Sequence, residues 1–113
     1  MPITDYPLIA VTEVLDMPSV DNPYGYGHLG STEEIVPDKL REVLRYGWGP
    51  DEVIENPIHV FEHTEGRNPY GQELTSEYNG RRIMGNGHHR LVFQALVQGA
   101  LFVHYTTDSY KSW

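Results

Sequence analysis

Glycine and proline interrupt this chain so often that its regular elements must be short and its connections long. Eleven glycines and eight prolines fall within 113 residues. Asn22-Pro23-Tyr24-Gly25 recurs as Asn68-Pro69-Tyr70-Gly71. It is a repeated turn type, with Asn first, Pro fixing φ at the second position and Gly at the fourth. From Pro18 to Ser31 this punctuation predicts a loop with aromatic contents and little capacity for regular pairing. Elements must fit between the breakers. The β-branched run over 8–15 predicts a short strand, closed by Asp16-Met17-Pro18. Pro37 suits the first turn of a helix over 37–46, in which Leu40, Val43 and Leu44 keep helical spacing and Gly47 supplies the end. Pro50 to Ile54 opens a further helical turn that Asn56-Pro57 must stop.

After Pro57, the run over 58–63 reads as a strand. Asn79-Gly80 is the signature of a tight hairpin and predicts pairing of 74–78 with 81–84. A second helix is predicted over 89–98, with Leu91, Val92, Ala95 and Leu96 on one face, Arg90, Gln94 and Gln98 on the other, and Gly99 at its end. The stretch 100–106 reads as a closing strand. Strands and helices in this order predict a single α+β domain over 1–113 with a small mixed sheet.

An apolar fraction of 39% with 12% aromatics is too rich for a disordered chain. The absence of cysteine removes disulfides, thiolate zinc sites and thiol nucleophiles together, and is compatible with a reducing cytoplasm. No apolar run approaches the roughly 18 residues of a membrane helix. Met1-Pro2-Ile3-Thr4-Asp5 has neither the basic region nor the apolar stretch of a secretory signal. A cytoplasmic protein without membrane contact is the expectation.

The formal charge of −8 is unevenly placed: residues 1–66 carry −10 and residues 67–113 carry +2. Overall acidity disfavours non-specific nucleic-acid binding, which rests on phosphate neutralisation by Lys and Arg. The bases of the second part gather at Arg81, Arg82 and Arg90, with His88 and His89, around Gly85 and Gly87. Such a cluster is either an ordinary solvated face or a place where an anion is welcome.

The segment 81–91 reads as a strand, a glycine-bearing turn and a helix start. Backbone N–H groups in a first helical turn point outward, the helix dipole favours negative charge there, and glycine admits a ligand close to the backbone. A phosphate or carboxylate fits that description; a compact β-to-α connection whose glycines serve geometry alone fits it too. The Walker lysine pattern is absent. His88 and His89 are adjacent and diverge at a helix start, so they do not grip one ion; each is a candidate general acid or base, or a local hydrogen-bonding group. Glu62 and Glu65 are candidate oxygen ligands for magnesium accompanying a phosphate, and His59 and His63 share a strand face. Tyr24, Tyr26, Trp48 and Tyr70 in the glycine-rich loops can stack a base, anchor an interface or close the core from its edge.

Gly87-His88-His89-Arg90, after a short strand and before an apolar helix with Ala95, resembles the Gly-x-x-Arg signature of the ParB and sulfiredoxin superfamily. Other features follow in that family's order: an opening strand, the Asn22-Pro23 loop, a helix from Lys39 to Gly47, the strand Pro57-Ile58-His59-Val60, a hairpin, and a closing strand from Leu101 to Tyr105. The resemblance covers about residues 8–107. It implies phosphate or nucleotide binding at Gly87, His88, His89 and Arg90, with Asn86 and Arg82 beside them. Sulfiredoxins carry a catalytic cysteine where this chain has His88, which excludes sulfinate reduction. Partition proteins have an arginine after the Asn-Pro loop, where this chain continues Tyr24-Gly25-Tyr26-Gly27-His28. They also have a helix-turn-helix domain downstream, whereas this chain stops at Trp113, so DNA clamping is not expected. What the resemblance implies is a small standalone domain of the type found in bacteria and their phages and often labelled nuclease, binding a nucleotide, with magnesium as a candidate cofactor, and with weak nucleotide hydrolase, kinase or nuclease activity. The alternatives are an inactive interaction protein engaging a host or cellular protein through its acidic half and loop aromatics, and DNA binding through Arg81, Arg82 and Arg90. On the first reading, Arg90→Ala abolishes nucleotide binding and leaves the fold intact.

Overall fold

Strands β1 (Leu8–Ala10), β2 (Pro18–Ser19), β3 (Gly30–Ser31), β4 (Ile58–Glu62), β5 (Arg82–Asn86) and β6 (Phe102–Thr106) form one sheet in the order β1-β6-β4-β5-β2-β3. The structure, a computed structural model, describes residues 3–21, 28–46, 56–64, 68–71 and 73–108. The sheet is mixed: β4 runs parallel to β6 and antiparallel to β5, and β2 runs parallel to β5. Helices α1 (Val11–Asp16), α2 (Thr32–Tyr46) and α3 (His88–Val92) accompany it. The architecture is therefore α+β, as expected.

Central position explains the composition of β4. With a strand on each side, Ile58, His59, Val60 and Phe61 are all buried rather than alternating. Ile58 and Val60 enter the main core with Ile9, Val14, Met84, Leu91 and Val103. Phe61 packs instead with Tyr78 and Ile83. Each aliphatic side chain so buried stabilises the fold by about 1.5–3 kcal/mol. A register shift between His59 and Val60 passes over Gly85, so β5 bulges there.

Several expectations need correction. The strand predicted over 8–15 ends at Ala10, and Val11–Asp16 is helical. Val11 and Val14 lie three apart and both enter the core, so tertiary packing overrides β propensity. The loop from Pro18 to Ser31 is zipped at its ends, where Pro18 pairs with Ser31 and Ser19 with Gly30; its middle, 22–27, with Asn22-Pro23-Tyr24-Gly25 and Tyr26, lies outside the described residues. Helix α2 starts five residues before Pro37, which sits inside it. Glu34 accepts the backbone N–H of Ser31 at 2.9 Å, half of a capping box that fixes the earlier start. Gly47, Trp48 and the turn from Pro50 to Ile54 lie outside the described residues.

The predicted pairing of 74–78 with 81–84 does not occur: Ser76–Tyr78 is a short 3-10 turn, and β5 pairs with β4. Asn79 at φ −60°, ψ 130° and Gly80 at φ 76° form a type II turn, not the primed turn a two-residue hairpin needs. Tyr78 anchors it, its hydroxyl donating to Leu29 O at 3.0 Å and accepting Leu29 N–H at 2.9 Å. Asn68-Pro69-Tyr70-Gly71 is the turn expected, closed by Gly71 N–H to Asn68 O at 2.9 Å.

Helix α3 changes character at Phe93, becoming a π turn over Phe93–Val97. Gln98 N–H reaches Phe93 O, five residues back, and Gly99 at φ 71° ends the segment. Within and after the wider turn the predicted faces shift: Gln94 is buried and Leu96 is 54% exposed; Arg90, which precedes it in α3, is buried as well. Among the described residues, no helix is long and apolar enough to cross a membrane.

Candidate functional site

A cavity of about 310 Å³ opens where β2, α2 and the β5–α3 turn meet. Val20, Asp21, Lys39, and residues 85–90 line it. Asn86 and Gly87–Arg90, the predicted phosphate-binding residues, thus come together. Arg82 does not join them. Its guanidinium lies over the Tyr105 ring, 5.3 Å from the centroid, and with Arg81, Glu13 and Asp16 it lines a separate depression. Arg81, Arg82 and Arg90 therefore do not share one basic face.

The turn is built for close approach. Gly87 precedes α3 at φ 96°, a conformation that disfavours every other residue. A Cβ there would lie 2.9 Å from Ile58 Cγ2 and 3.0 Å from Arg90 Nη2. The absent side chain lets the guanidinium fold against the backbone, from which Arg90 donates to Pro57 O at 3.4 Å. Asn86 Oδ1 accepts Gly87 N–H at 2.8 Å, and the helical ladder begins with Leu91 N–H to Gly87 O. The N–H groups of His88, His89 and Arg90 precede that ladder.

The two histidines diverge. His88 Nε2 lies 2.5 Å from Ser19 Oγ on β2, whereas His89 Nε2 lies 2.5 Å from Glu42 Oε2 on α2. Burial lowers His88 to about 4, with Lys39, His89 and Arg90 adding to the effect and Asp21 opposing it. His88 is therefore neutral at physiological pH. Lys39 Nζ stands 2.5 Å from Asp21 Oδ2 and 3.4 Å from Glu42 Oε2. Burial works to raise Asp21, but the hydrogen bond and charge of Lys39 outweigh it and hold the carboxyl below its ordinary value. Burial likewise opposes the charge on Lys39, and Asp21 and Glu42 prevail to raise it. Lys39, Asp21 and Glu42 escaped sequence reasoning. No local motif joins them to the glycine turn; only the i, i+3 spacing of Lys39 and Glu42 was visible.

Tyr70 supports the turn from below. Its ring fills the space where a Gly85 side chain would point, and its hydroxyl lies 2.6 Å from His59 Nδ1. Burial raises the Tyr70 phenol to about 12, against the pull of Arg90, and lowers His59. The Tyr70 ring packs against His59 and Phe61 while remaining 39% exposed, which fits closure of the core from its edge. Tyr24, Tyr26 and Trp48 lie outside the described residues.

Glu62 is exposed and faces Arg82 across the β4–β5 register; Glu65 lies outside the described residues. Among the described residues, no group of three or more His, Asp or Glu is placed to hold a metal ion. His59 and His63 are both buried on β4 and the segment that continues it. Comparison of the chain with protein-family models, curated proteins and solved structures returns no match.

Proposed function

We propose that the chain binds a phosphate group, carried by a nucleotide, in the cavity between β2, α2 and the β5–α3 turn, as a cytoplasmic ParB-like domain. One observation supports this reading: α2 brings Lys39 into the same cavity as Gly87, His88, His89 and Arg90. An ammonium, a guanidinium and the backbone N–H groups that open α3 are donor types from which phosphate oxygens accept hydrogen bonds. Asp21 and Glu42 hold Lys39 in place, and an incoming phosphate competes with them for it.

Titration calorimetry with inorganic phosphate and with a nucleoside triphosphate, with and without magnesium, tests the reading. Binding is expected, and Lys39→Met weakens it by at least about tenfold, or 1.4 kcal/mol. No heat and no thermal shift with any of these ligands overturns it. Lys39 is a better probe than Arg90, whose burial and contact with Pro57 O make Arg90→Ala a change of packing as well.

A second reading is docking to a host or cellular protein. Leu8 and Phe102 share one face of the β1–β6 pair and are 57% and 58% exposed. On that reading a pull-down with the chain recovers a partner and loses it with Phe102→Asp.

A further inference from the structure

Ser19 has no exposed surface, and among the described residues its hydroxyl has two hydrogen-bonding neighbours: it accepts Asp21 N–H at 3.1 Å and stands 2.5 Å from His88 Nε2. A serine hydroxyl offers one hydrogen and two lone pairs. The Asp21 N–H takes a lone pair. The hydrogen then has His88 Nε2 as its acceptor; were Nε2 itself protonated, the serine O–H would be buried with nothing to receive it, at a cost of about 1–3 kcal/mol. Nε2 is therefore the bare nitrogen, and the one hydrogen of the neutral ring sits on Nδ1.

We infer that Ser19 is a positioning residue for the cavity: it locks His88 as the neutral Nδ1–H imidazole, so that the ring offers a bound phosphate a donor without charge. The use of that donor rests on the phosphate reading; the placement of the proton does not. The charged and titratable groups that face His88 are Asp21 from the segment after β2, Lys39 from α2, and His89 and Arg90 from its own helix. Charge for the ligand is left to Lys39 and Arg90. His88 then adds no pH dependence to anion binding between about pH 5 and 8, the range in which an ordinary histidine titrates.

Removing the hydroxyl should undo this. In Ser19→Ala, Nε2 loses the hydroxyl that donates to it, and the buried, neutral ring is free to adopt the Nε2–H form.

The deciding measurement is long-range proton–nitrogen correlation spectroscopy of the full chain with labelled histidine, the His88 ring being assigned from its loss in His88→Gln. The expected spectrum shows a protonated Nδ1 and a bare Nε2 that persist across about pH 5 to 8. Ser19→Thr should retain that pattern and Ser19→Ala should lose it. An Nε2–H ring in the unmodified chain, or an unchanged ring in a folded Ser19→Ala, overturns the inference. Should Ser19→Ala not fold, the parent spectrum and Ser19→Thr still decide it. Inorganic phosphate added to the same samples separates the two claims: unmoved His88 resonances overturn the donor role with the phosphate reading, while the proton placement stands or falls on the ring spectrum.

Discussion

The ring of Tyr70 occupies the space that a Cβ on Gly85 would need, so the second Asn-Pro-Tyr-Gly turn and the bulge in β5 are built for each other. Gly85→Ala should destabilise the fold by about 1–3 kcal/mol, the usual cost of overpacking. Tyr70→Phe, which removes only the hydroxyl bonded to His59, should cost about 1 kcal/mol. Urea unfolding measures both. Because Tyr70→Ala opens the space, the double variant with Gly85→Ala should lose less than the two single losses combined.

Gly87 is held to glycine more strictly than Gly80 or Gly99. All three have positive φ, but only at Gly87 would a side chain also meet other atoms, Ile58 and Arg90. Gly80→Ala and Gly99→Ala should cost about 1–2 kcal/mol for the left-handed conformation alone. Gly87→Ala should exceed them by roughly another 1 kcal/mol from overpacking. Equal midpoint shifts for the three variants would contradict this ordering.

Stability should fall as the solution is acidified from about pH 6.5 to 4. His88 is lowered in the folded state to about 4 from 6.5, so across that window the unfolded chain binds the proton that the folded chain refuses. With the unfolded state binding more protons, unfolding free energy rises with pH. The loss on acidification reaches the order of 3 kcal/mol. His59, lowered by burial, acts in the same direction. Asp21 is also lowered, so its contribution is present above 3.8 and is lost only as the pH falls further. Thermal melts of His88→Gln, which keeps an acceptor for Ser19, should show a shallower decline than the parent over that window.

Asp21→Asn and Lys39→Met should move phosphate affinity in opposite directions. Asp21 holds the Lys39 ammonium 2.5 Å away, where a phosphate oxygen would compete for it. Removing the carboxylate charge frees the cation and should tighten binding by about 1 kcal/mol, roughly fivefold. Calorimetry that finds both variants weakened would assign Asp21 a direct role in holding the ligand.

The chain announced one wall of this cavity and concealed the other. Gly87-His88-His89-Arg90 is contiguous, and contiguity with a glycine break is what local reasoning reads. Lys39 and Asp21 are eighteen residues apart and far from that turn in sequence; Asp21 reaches it when β2 pairs with β5, and Lys39 when α2 packs against α3. The fold divides the same way. The closing strand, the Asn68 turn and the glycine that ends the last helix were legible because each depends on neighbours in sequence. Ser31 and Glu34 carry the local spacing of a capping box, which sets the helix start ahead of Pro37. The fate of 8–15 was not, since whether Val11 continues a strand or starts a helix is settled by what Val14 packs against. Nor was the pairing of β5, because Asn79-Gly80 specifies a turn without specifying which strands follow from it.

The π turn supplies the sharpest test of the helical register. A regular helix over 89–98 would place Leu96 beside Leu91 and Val92 in the core, and Leu96→Ser would then cost several kcal/mol. With the extra residue of the π turn, Leu91 is 1% exposed while Leu96 and Val97 are 54% and 50% exposed. Leu91→Ala should therefore cost about 2–5 kcal/mol, as cavity formation in a core does. Leu96→Ser and Val97→Ser should stay within about 0.5 kcal/mol of the parent, as surface substitutions do. Denaturant midpoints decide between the registers: if Leu96→Ser falls with Leu91→Ala, the segment is a regular helix and the buried placement of Gln94 is wrong with it.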